Sequence, residues 1–76
     1  AWMDQQPSNQ PFFCYLPLNA CHGPQWAPAA LRDSIAAQFP QLAPGQIGYL
    51  AMLANVDNNL GRLLAFLEER NIDDNT

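Results

Sequence analysis

The chain has 76 residues, of which 49% are hydrophobic and only 13% charged, and its net charge is −4. Its three basic residues, Arg32, Arg62 and Arg70, cannot form a phosphate-binding patch, which argues against a nucleic-acid partner. No apolar run reaches the roughly 18 residues of a membrane span, and a charge content near half the usual ~25% points either to surface hidden against partners or to a chain that is part of something larger.

Residues 1–10, AWMDQQPSNQ, read as a helix end or connector, with a turn at Pro7, Ser8 and Asn9. Residues 11–17, PFFCYLP, form an apolar, aromatic run bracketed by prolines, too short for a helix. This pattern predicts a strand buried on both faces, the habit of parallel sheets in α/β proteins. Such a strand needs neighbours to satisfy its backbone, and this chain offers few.

Residues 18–28 form a loop stiffened by Pro24 and Pro28, and it carries the only histidine, His22. A short helix is expected over 28–39, opened by Pro28 and stopped by Pro40, with Leu31, Ile35 and Phe39 on one stripe. A long helix is expected over 44–70. Tyr49, Leu53, Val56, Leu60, Leu63, Leu64 and Leu67 share one broad face at helical spacing. On another side Ala51, Ala54, Gly61 and Ala65 would let a neighbouring backbone approach closely. Asn71 suits a left-handed cap, with Ile72 folding back on Leu67. About 25 helical residues span roughly 37 Å, longer than the roughly 30 Å diameter of a compact globule of this size. The helix would overhang its own domain, as if the chain were part of a larger body.

In open α/β sheets ligands bind beyond the carboxyl ends of strands, and His22 follows the 11–17 run in that position. An imidazole there can accept a proton, bind a metal or, when protonated, pair with an oxyanion. The alternative is a loop histidine bonded to nearby backbone. Cys14, Cys21 and His22 match no zinc spacing, and a Cys21–His22 nucleophile pair lacks a group to orient the base. Asp57 lies about 80° round the helix from Tyr49, as an anchor or a site residue, and Arg62 is expected to be solvated.

PFFCYLPLNACHGPQWAP resembles a segment of the sulfatase family in which a buried strand enters a Pro-His-x-Pro-like loop. YLAMLANVDNNLGRLLAFLEERNIDDNT is similar to the helix that follows, including its Gly-Arg pair and Asp-Asn-Thr exit. The resemblance implies the doubly wound α/β fold of the alkaline phosphatase superfamily. It also implies hydrolysis of sulfate esters with a formylglycine nucleophile and a calcium ion. His22 matches the family histidine that contacts the sulfate group, while Asp57 and the Gly61-Arg62 pair match positions that look architectural. Neither cysteine begins the Cys/Ser-x-Pro-x-Arg sequence from which formylglycine is made, and Cys21 stands where the family usually has proline.

The expected reading is therefore an internal segment of an arylsulfatase-like hydrolase, spanning 1–76, mostly helical with one buried strand at 11–17. It supplies an active-site histidine and a structural helix, binds neither calcium nor formylglycine itself, and is inactive alone. Its partners would be the rest of the sulfatase domain and, through that, a sulfate ester. A typical bacterial parent would be periplasmic or secreted. One alternative is a small helical interaction module that self-associates through its long helix. Another keeps the superfamily and changes the ester to phosphate or phosphonate.

Overall fold

The computed structural model describes residues 2–76. Two α-helices carry the fold, α1 over Ala29–Gln38 and α2 over Pro44–Glu69, and α1 packs against α2. Single 3-10 turns, Trp2–Gln5 and Asp73–Asn75, lie near the two ends.

Local chemistry sets the helix limits. Pro28 caps α1 from outside with φ −53° and ψ 138°, one position earlier than the first helical residue expected of it. Its carbonyl accepts from the N–H groups of Leu31 and Arg32. Pro44 occupies the first turn of α2, where its missing N–H costs nothing. Gln46 Oε1 accepts the Ala43 N–H at 2.9 Å, the reciprocal half of a capping box. Asn71 adopts φ 55°. The Asn71 N–H donates to Glu68 O at 2.9 Å and the Ile72 N–H to Leu67 O at 3.0 Å, which is the Schellman pattern.

The buried strand expected at 11–17 is absent. Residues 11–20 are all exposed and in no strand, and none of residues 11–18 makes a backbone–backbone hydrogen bond among the described residues. The physical reason is the lack of a second edge: a strand exists only where another backbone takes its N–H and C=O groups. Instead the run passes along α2 in the opposite direction. Phe12 and Phe13 share a groove of about 350 Å³ with Leu63 and Leu67, and Leu18 to Ala20 share one of about 290 Å³ with Val56 and Leu60. Further along, Gln25 reaches Gly48.

The expected apolar face of α2 is also divided. The face that is covered carries Gly48, Ala51, Met52 and Leu67, all buried, with Val56, Leu63 and Phe66 half-buried. Tyr49, Leu53, Leu60 and Leu64 remain exposed, about 100° round the helix from Gly48–Met52. Of the small residues, Ala51 is fully buried, whereas Gly61 and Ala65 are exposed. A Cβ placed at Gly61 meets nothing within 4 Å, and the close backbone approach falls at Gly48 instead.

This is too little burial for a core. Among the described residues the buried hydrophobic ones are Ala51, Met52 and Leu67, while Phe13 is 85% and Trp26 83% exposed. The described chain exposes 6194 Å², against about 4,600 Å² for a compact monomer of this length. Its radius of gyration is 16.3 Å and its longest axis 52 Å, set by α2, which alone is about 39 Å long. A helix that is apolar on several sides is a helix built to be surrounded.

Candidate functional site

The loop from Leu18 to Pro28 holds the chemistry-bearing residues closest in sequence. Its first turn is closed by the His22 N–H, which donates to Asn19 O at 3.1 Å. Cis peptide bonds occur at Ala20–Cys21 and Gly23–Pro24, on either side of His22. The imidazole is exposed, and its Nδ1 lies 2.6 Å from the carbonyl oxygen of Gly23. A carbonyl can only accept, so Nδ1 carries the proton. That leaves Nε2 as the nitrogen available to a ligand, as an acceptor in the neutral ring or a second donor in the imidazolium.

The loop is seated on α2 by Gln25. A Cβ built at Gly48 would lie 3.1 Å from Gln25 Cβ and 3.7 Å from its carbonyl oxygen. Glycine is what allows this approach, because the opposing atoms belong to or adjoin the backbone and cannot swing aside. At the other end of the same side chain, Gln25 Nε2 comes within 3.7 Å of where a Gly23 Cβ would stand. The signal for this seat was present in the sequence as a glycine in the first turns of an otherwise apolar helix. Its partner was not legible there.

Among the described residues the His22 ring is hydrogen-bonded to none of the other candidates. Cys14 is exposed, Cys21 is half-buried, and both are free thiols. Asp57 is exposed on α2. Arg62 Nη1 donates to Asn59 Oδ1 at 3.1 Å, and Asn59 Nδ2 to Asn55 O at 2.8 Å, a polar ladder along one side of α2. Arg62 is exposed and bonds along the helix surface.

Calcium takes six to eight oxygen ligands. Among the described residues no group of three or more His, Cys, Asp or Glu side chains is placed to hold a metal ion, so these residues do not by themselves fit a calcium site. Neither CYLPL nor CHGPQ fits the sequence that is converted to formylglycine. What the loop can do chemically is present one imidazole edge, with its tautomer set by backbone, to an anion.

The family model described as Sulfatase matches residues 1–76. Neither the curated proteins nor the solved structures gave a match.

Proposed function

The chain belongs to the sulfatase family, and from that we propose that it serves as the part of a sulfuric ester hydrolase, arylsulfatase-like, that brings His22 to the sulfate group. The reaction is cleavage of an ester R–O–SO3⁻ by water to R–OH and hydrogen sulfate. The observation that carries the reading is the family match across the whole of 1–76, the His22 loop included.

The chain's own residues supply binding and orientation. The Gly23 carbonyl holds the Nδ1–H of His22, so the ring offers Nε2. As an imidazolium, Nε2–H donates to an oxygen that gains charge as the ester bond breaks. The helix α2 is the rail on which the loop rests. Calcium and formylglycine, which the family's chemistry uses, are to come from residues other than those described, as is the cover for Phe13, Tyr15, Trp26 and the exposed side of α2. On this reading the 76 residues alone turn over no ester.

The test is expression of the coding sequence together with its flanks, followed by assay of sulfate release from aryl sulfate esters for the native protein and His22→Ala. Loss of turnover in the variant with an unchanged fold supports the reading. Full activity without the imidazole ends it, and preference for a phosphate or phosphonate ester would move the assignment within the superfamily. One observation favours a second reading, a helical interaction module: Tyr49, Leu53, Leu60 and Leu64 line one exposed side of α2. A flank lacking any Cys/Ser-x-Pro-x-Arg sequence would favour it.

A further inference from the structure

We infer that Gly48 of α2 is a positioning residue for His22. The link is one tight approach followed by three residues of chain. Gly48 has no side chain where Gln25 crosses α2, and a methyl group there would stand 3.1 Å from Gln25 Cβ. That separation is a few tenths of an ångström inside the usual carbon contact distance of about 3.5–4.0 Å. The crowding atom is a Cβ, fixed to the backbone, so relief displaces the Gln25 backbone by a few tenths of an ångström rather than turning a side chain. Gln25 is three residues from His22, and its amide end folds back beside Gly23. The Gly23 carbonyl is the group that accepts the Nδ1–H of His22 at 2.6 Å. Gln25 is joined to Gly23 through Pro24, so a shift of the Gln25 backbone is passed along the chain to the carbonyl that holds the His22 ring.

No other glycine of α2 has this property. Gly45 and Gly61 also lie in α2, and a Cβ at either meets nothing within 4 Å. An alanine at Gly61 thus changes helix propensity just as one at Gly48 does, without touching the loop. The positional effect does not depend on which reaction His22 serves. Only its consequence for turnover rests on the sulfatase reading.

The experiment compares the full 76-residue chain with Gly48→Ala and Gly61→Ala, each labelled with nitrogen-15 at histidine, at alkaline pH where imidazole is neutral. The ring nitrogen shifts report which nitrogen bears the proton, and circular dichroism reports helicity on the same samples. The expected result is a strong excess of the Nδ1–H form in the native chain and in Gly61→Ala. In Gly48→Ala that excess is lost, falling toward the mixture of a free imidazole, while helicity is retained. Identical ring shifts in all three chains overturn the inference, as does a change in Gly48→Ala that only follows lost helicity. Sulfate-ester assays do not enter this test, so its failure is separate from any failure of the sulfatase reading.

Discussion

The guanidinium of Arg70 lies 2.7 Å from the carboxylate of Asp4 across 66 residues of sequence, tying the first turn of the chain to the end of α2. The same guanidinium sits 5.7 Å from the centroid of the Phe66 ring, and Trp2 packs edge-on against Phe12 at 5.6 Å. Both charged side chains are partly exposed, 36% and 48%, so solvent screens the pair. Asp4→Asn is expected to cost less than ~1 kcal/mol and to loosen the first turn rather than α2. Trp2 emission should shift toward that of free tryptophan while helicity stays constant, and added salt should reproduce part of the effect. A large loss of helicity would mean the pair anchors more than the terminus.

Gly61→Ala should strengthen the helix. The site is open space, and alanine is favoured over glycine in a helix interior by about 1 kcal/mol. Circular dichroism at 222 nm should show higher helicity in the variant chain. Lower helicity would place a neighbouring backbone at Gly61 that the described residues do not contain.

The exposed stripe of α2 should drive self-association of the 76-residue chain. Tyr49, Leu53, Leu60 and Leu64 are between 42% and 64% exposed, an apolar line that a soluble monomer seldom leaves uncovered. Sedimentation should show mass rising with concentration, and the double variant Leu53→Glu, Leu60→Glu should return the chain toward monomer. A monodisperse native monomer at high concentration contradicts this expectation.

Phe13 separates the chain as described from the chain in its larger setting. At 85% exposure, Phe13→Ala should change the helicity and association of the 76 residues little. In the flank-containing protein the same change should destabilise by about 3–5 kcal/mol, read from denaturant unfolding. Equal, small effects in both would mean this run stays on the surface.

On the proposed sulfatase reading, His22→Ala should reduce turnover of the flank-containing protein by about 10²–10³-fold, the usual consequence of removing one donor to a developing oxyanion. The helices should be unaffected, because the imidazole bonds only within its own loop. A change in KM alone, with kcat retained, would assign His22 to ground-state binding.

The helices were legible because their limits are local. Pro28, Pro40 and Pro44 act within a turn of where they stand, and Asn71 caps α2 from its own position. The resemblance to sulfatases was carried by two separated motifs, and the family match covers both. The run at 11–17 forms no strand, because its apolar pattern reports what a segment is suited to, not whether a partner backbone is present. The anchoring of Trp2–Gln5 by Arg70 and Phe12 was not legible, since nothing in a linear sequence marks a contact between its two ends. In the candidate site, His22 stood out as the only histidine, while Gln25 did not stand out at all.

Sequence alone determined the two helices, the proline punctuation, the family, and the shortage of charge that pointed to hidden surface. Each follows from residue type and spacing, which act over a few positions. Tertiary structure decided which side of α2 is covered and that Gly48 rather than Gly61 takes the close approach of Gln25. Those depend on which atoms meet across tens of residues, and helical periodicity gives every apolar side of α2 an equal claim until a neighbour covers one of them.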